Sequence, residues 1–125
     1  MRIAVVSDDY KQVTGKCGKA RRFLIFSGEM GGEPQLMARL ELAVEQPDYH
    51  DLHEDEVTPH PIDGHVMITG EAGEGITERL ARRDVDVRIT PETDPTTAAR
   101  LYLQNALPAS DPHPHNEDGT CPGDH

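Results

Sequence analysis

"HVMITGEAGEGITERLARRDVDVRIT", His65 to Thr90, is the stretch on which the fold turns. "HVMITG" is a short apolar run with the look of a strand. "GEAGEG" then leads into a helix with Ile76, Leu80 and Ala81 on one side and Arg79, Arg82 and Arg83 largely outside, and "VDVRIT" is strand-like again. A strand, a helix and a strand in this order call for a right-handed crossover between parallel neighbours in one sheet.

Working outward, Arg2 to Ser7 carries Ile3, Ala4, Val5 and Val6 unbroken, the pattern of a strand buried on both faces near the middle of a sheet. Arg22 to Ser27 repeats it with Phe23, Leu24, Ile25 and Phe26, and "SGEMGGEP" supplies the glycines and proline of a turn. From Leu36 to Val44, apolar residues alternate with Arg39, Glu41 and Glu45, which predicts a half-buried strand at a sheet edge. Short turns join these three strands into an antiparallel meander. Beyond the crossover, "TDPTTAARLYLQNAL" offers Asp94 as N-cap, Pro95 at the first helical position, and an apolar surface from Ala98, Leu101, Tyr102, Leu103 and Ala106. The expectation is an α/β domain over residues 1–107: three antiparallel strands, then strand-helix-strand-helix, in a mixed five-stranded sheet. "ASDPHPHNEDGTCPGDH" has no apolar periodicity and reads as a disordered tail, 108–125.

Composition narrows the function. The 125 residues suit one domain, and with only five aromatic side chains the core must rest on aliphatic packing between layers. Against 23 acidic residues stand 12 basic ones, a net charge of −11 that repels a phosphate backbone except at a local patch, and no nucleic-acid partner is expected. The candidate patch is Lys16, Lys19, Arg21 and Arg22, which reads as a solvated loop. "RIAVVS" reaches Asp8 and Asp9 at once, so it is no secretion leader, and no segment approaches bilayer length; the expected location is the cytoplasm, with no membrane partner. There Cys17 and Cys121 are thiols, and a thiol is also a ligand.

The histidines are the main chemical clue. His50, His53, His60 and His65 lie in or bound one acidic connection, and His113, His115 and His125 are in the tail. In "YHDLHEDE", one helical turn would align His50 with His53, and Asp51, Glu54 and Asp55 offer oxygen ligands or partners that orient the rings. No paired CxxC and no HExxH is present, so the connection reads either as a metal site using His50, His53 and His60 or as a polar surface loop. The tail donors, Cys121 among them, read likewise as a chelating group or an ordinary chain end. Cys17 sits between Gly15 and Gly18, where the backbone can approach a ligand, and Lys16 and Lys19 favour its thiolate; both suit a negatively charged cluster, as against an incidental surface cysteine. "GEAGEG" lacks the lysine of a P-loop and carries Glu71 and Glu74, so Gly70, Gly73 and Gly75 serve a tight turn rather than a nucleotide. Asp8 and Asp9 read as turn formers rather than a magnesium site, and no catalytic triad can be argued.

"MRIAVVSDDYKQVTGKCGKARRFLIFSGE" with "MITGEAGEGITERLARRDVDVRITPETDPTTAARLYL" resembles the dinitrogenase iron-molybdenum cofactor biosynthesis family, which includes NifX, NafY and the C-terminal part of NifB. The resemblance spans roughly residues 1–107. It implies a ribonuclease H-like fold without nuclease activity, and transient binding or carriage of an iron-sulfur or iron-molybdenum cluster between cofactor-assembly proteins and an apo-enzyme recipient. The family's glycine-His-Phe-glycine loop aligns with Gly15, Lys16, Cys17 and Gly18. Lys16 therefore stands where the family has its suspected ligand, and Cys17 becomes the candidate substitute. The family's cofactor-facing glycine turn aligns with Gly70 to Gly75, Gly73 included, and "HDLHEDEVTPHPIDG" takes the place of a longer helix. The expectation is a non-enzymatic metallocluster carrier in which Cys17 and the His50, His53 and His60 group share one rim of the sheet. The alternatives are a carrier of another transition metal, or a metal-independent module that docks onto a partner protein.

Overall fold

The computed structural model describes residues 1–15, 19–52, 54–55 and 57–110. Its elements are β1 (Arg2–Val6), β2 (Arg22–Ser27), β3 (Gln35–Glu41), β4 (Val66–Thr69), α1 (Glu74–Ala81), β5 (Asp86–Ile89) and α2 (Pro95–Leu103), and the sheet runs β3-β2-β1-β4-β5. β1 pairs antiparallel with β2 and parallel with β4, β4 pairs parallel with β5, and β2 pairs antiparallel with β3. The protein is thus an α/β domain with a mixed five-stranded sheet and two helices.

The alternation in β1 explains its unbroken apolar run. Ala4 and Val6 join Phe23, Ile25 and Met67 on the face that α1 covers through Ile76 and Leu80, while Ile3 and Val5 join Leu24, Phe26 and Ile68 on the face covered by Ala98, Ala99 and Leu103 of α2. A strand with a layer on each side has no position left for a polar side chain. The start of α2 follows its sequence signal: Asp94 accepts hydrogen bonds from the Thr97 amide at 2.8 Å and the Thr97 hydroxyl at 2.6 Å, and Pro95 opens the helix.

Two expectations fail for physical reasons. The alternation from Leu36 to Val44 does not give a half-buried strand: β3 ends at Glu41, and every residue in it is exposed except the half-buried Leu40. The register shifts between Ile25 and Phe26, whose partners are Ala38 and Leu36, so Met37 is an extra residue that breaks the period. α1 packs on β5 and α2 on β1, and in β3 it is Leu40 that reaches the core under α1. On the helices, Ala81, Leu101 and Ala106 were expected on apolar faces, yet Ala81 and Ala106 are exposed and Leu101 is half-buried. Each lies at or near a helix end, where the chain leaves the sheet.

The connection from Leu42 to His65 has no strand or helix among its described residues, but it is no solvated loop. Leu42, Tyr49, Leu52, His60 and Ile62 are buried against the α1 face. Gly64, at φ 84°, turns the chain into β4 and donates its amide to the Arg83 carbonyl at 3.2 Å. Backbone bonding also continues past residue 107: the Ser110 amide donates to the Ile89 carbonyl at 2.8 Å, on the outer edge of β5. The rest of the tail, with His113, His115, Cys121 and His125, lies outside the described residues.

Candidate functional site

β1, β4 and β5 run in the same direction, so their C-terminal ends share one end of the sheet, the position at which open α/β sheets take ligands. The loop after β1 and the glycine turn after β4 meet there. The Thr14 amide donates to the Val6 carbonyl at 2.9 Å, the Gly70 amide donates to the Thr14 carbonyl at 3.1 Å, and the Asp8 amide donates to the Thr14 hydroxyl at 3.0 Å. Gly15 lies so close to Glu71 that a Cβ on it would come within 2.5 Å of the Glu71 amide nitrogen, a contact only glycine permits. Asp9 is the turn former it was expected to be: its Oδ1 accepts from the amides of Lys11 at 2.8 Å and Gln12 at 2.9 Å, and these bonds hold its carboxyl below the ordinary range.

Lys16, Cys17 and Gly18 lie outside the described residues, but the chain on either side of them is well placed. It enters at Gly15 against Glu71 and leaves toward Ala20, which is buried. Ala20, Thr69, Ala72 and Tyr49 line one narrow gap of about 10 Å³, room for about a single water. Three separate segments therefore converge there: the loop after β1, the glycine turn and the connection that carries the histidines. Gly73 is the N-cap residue of α1, in extended conformation and with no side-chain cap.

The histidines do not form one rim group. His53 lies outside the described residues, and His50 is half-buried. His60, expected among rim ligands, is a core residue at 4% exposure, stacked on Tyr49 with ring centroids 3.8 Å apart and set edge-on to Phe23 at 6.3 Å. The Ile62 amide donates to its Nδ1 at 3.0 Å, so the ring proton resides on Nε2, which then has no lone pair for a metal. That Nε2 is buried without a hydrogen-bond partner among the described residues. Burial, only partly opposed by Asp63, holds the imidazole neutral, its pKa lowered to about 4.

The carboxylates of the connection serve its turns. The Asp51 carboxylate accepts the Asp48 amide at 3.2 Å, and the Asp48 carboxylate accepts the Asp51 amide at 2.8 Å. Asp55 accepts the Thr58 hydroxyl at 2.6 Å and the amides of Val57 and Thr58 at 2.9 Å, and these bonds lower its pKa to about 2. No group of three or more metal-binding side chains occurs among the described residues.

Arg83, which the helical pattern sets outside, is instead the clamp of this connection. Its guanidinium donates to the Thr58 carbonyl at 2.9 Å, to Asp63 at 3.2 Å and to the Asp55 carbonyl, and it lies over the Tyr49 ring at 5.7 Å. Asp63 also accepts the Tyr49 hydroxyl at 2.8 Å and the His60 amide at 3.0 Å. Burial and this bond raise the Tyr49 pKa. Arg83 is the sort of residue sequence reading misses, because its partners lie 20 to 28 positions away.

The basic patch is also largely committed within the fold. Arg21 donates to the carbonyls of Ala43 at 2.6 Å and Gln46 at 2.7 Å and approaches Asp48 at 3.8 Å, while Arg22 donates to the Asp8 carbonyl at 3.0 Å and pairs with Glu41 at 3.5 Å. With Lys19 these groups line a cleft of about 360 Å³ whose opposing charges make it a poor anion site.

No helix among the described residues is long and apolar enough to cross a membrane. No family model matches the chain, and no curated protein matches it. Among solved structures, one described as "Crystal structure of PH0822" superposes with a TM-score of 0.62 at 17% identity, over 88% of this chain and 96% of that one. At that identity the likeness speaks for the fold alone.

Proposed function

We propose that this chain is a ribonuclease H-like carrier domain that performs no chemistry of its own and holds an iron-sulfur or iron-molybdenum cluster as transient cargo, in the manner its sequence resemblance implies. The order of elements, three antiparallel strands and then strand-helix-strand-helix, supports the fold part of this reading. The observation that carries the functional part is the meeting of two glycine-bearing turns at the C-terminal ends of β1 and β4, with Gly15 against Glu71 and Gly70 bonded to Thr14. Gly15, which meets that turn, directly precedes Lys16, Cys17 and Gly18 in the sequence. Cys17 is the soft donor of the reading, and Gly18, Gly70 and Gly73 allow close approach of the backbone. His50 and His53 remain as candidate imidazole donors, and His60 is set aside for its protonated Nε2.

The test is anaerobic titration with an iron-sulfur cluster donor, followed by visible absorption of the re-isolated protein. The wild type and His60→Phe take up the chromophore alike, and Cys17→Ala loses it. Equal uptake by the wild type and Cys17→Ala removes the proposed ligand. A colourless wild type favours the second reading, a metal-independent docking module cooperating with assembly proteins, for which the core position of His60 and the bare β3 edge speak.

A further inference from the structure

We propose that the open edge of β3 is a docking strip for an extended segment of another protein, apolar at alternate residues and basic at its flanks, which adds to the sheet as a further strand. The two edges of the sheet differ. At β5 the chain covers its own edge: Leu107, Pro108, Ala109 and Ser110 line the groove there, and the Ser110 amide already occupies the Ile89 carbonyl. Pro91 lacks the amide that would extend that pairing. At β3 no described residue pairs with the outer edge, and the side chains that natural edges keep polar are apolar here. Leu36 and Met37 are 54% and 53% exposed. Flexible methionines on a surface adapt to varied partners, and a bare strand recognises an incoming one through its backbone.

Charge and size choose the occupant. Glu29 and Glu33 precede the strip, Glu41 ends it and Glu45 follows it, all exposed, while Arg39, the cation within it, lies over the Tyr10 ring at 5.4 Å. Glu33 and Glu41 each meet an arginine of the same chain, Arg100 and Arg22, so the excess negative charge rests on Glu29, Glu45 and the overall −11. A second copy would bring the same sign to the same edge. The strip is 7 residues long, roughly 24 Å, a length that one short extended segment can pair along.

The probe is a short fluorescent peptide of alternating valine and threonine between lysine pairs, with binding followed by anisotropy. Two control peptides carry glutamate flanks or a backbone N-methylated at alternate residues. The lysine peptide binds at least about tenfold more tightly than either control. Leu36→Thr with Met37→Thr weakens it by about tenfold or more, whereas Val57→Thr, at a position 92% exposed elsewhere, leaves it unchanged. Absence of binding, parity with either control, or indifference to the Leu36 and Met37 changes overturns the proposal. So does sedimentation showing a dimer that the double variant abolishes, which makes a second copy the occupant.

Discussion

On one face of the sheet α2 lies over Ile3, Val5 and Ile68, a layer packed mainly by Ala98, Ala99 and Leu103 of the helix, with Val13 from the loop after β1. On the other, α1 shares the cover with an irregular connection that anchors itself through Tyr49, Leu52, His60 and Ile62 and is tied down by Arg83. The first face is held by side chains that recur along one element. The second depends on one guanidinium satisfying carbonyls that have no ladder to pair with, and removing a single group should therefore affect the two faces very differently.

The largest effect expected is that of Arg83→Ala. It leaves Asp63 and the Thr58 and Asp55 carbonyls without their donor and costs about 3 kcal/mol in urea unfolding. Hydrogen exchange then shows the amides of Leu52, Asp55 and Ile62 losing protection while those of α2 keep theirs; equal loss on both faces breaks the comparison.

The pH dependence is of similar size. The folded pKa of His60 lies near 4, below its ordinary value of 6.5, so the unfolded chain binds the proton first. Its contribution is complete above about pH 6.5 and is lost as pH falls toward 4, about 3 kcal/mol in order of magnitude. Asp48, raised by burial, acts in the opposite sense, so the informative measurement is the difference between the wild type and His60→Phe, whose stability should be flatter across that window. Curves of equal slope would remove the histidine from the account.

Tyr49→Phe deletes one hydrogen bond to Asp63, with an expected cost of about 1.5 kcal/mol. Combined with Arg83→Ala it should cost less than the sum, because both act on the same carboxylate. Asp94→Ala sharpens the contrast from the other side: loss of the N-cap frays α2 and costs about 1 kcal/mol, with the Arg83 clamp untouched.

What was legible in the sequence follows the same division. β2 was read to the residue, and the crossover, the meander and the Asp94 cap were all recognised, because each rests on a local period or a local bond. The extra residue Met37 and the bare side of β3 were not, since alternation says that a face could be buried and not that anything lies over it. Histidine and carboxylate counts made the connection read as either a metal site or a polar surface loop, whereas Leu42, Tyr49, Leu52 and Ile62 decided its packing. Of the candidate site, the two glycine turns could be named from residue type. Their contact at Gly15 and Glu71 could not, because it joins positions brought together only by the pairing of β1 with β4.

The place of Arg83 has a kinetic consequence. It stands at the exit of α1, inside the crossover that joins β4 to β5, while the carbonyls it holds come earlier in the chain. The Arg83 clamp can close only once that crossover has formed, so refolding is expected to order the Thr58 to Asp63 part of the connection after it, an order that pulsed hydrogen exchange at Ile62 would check.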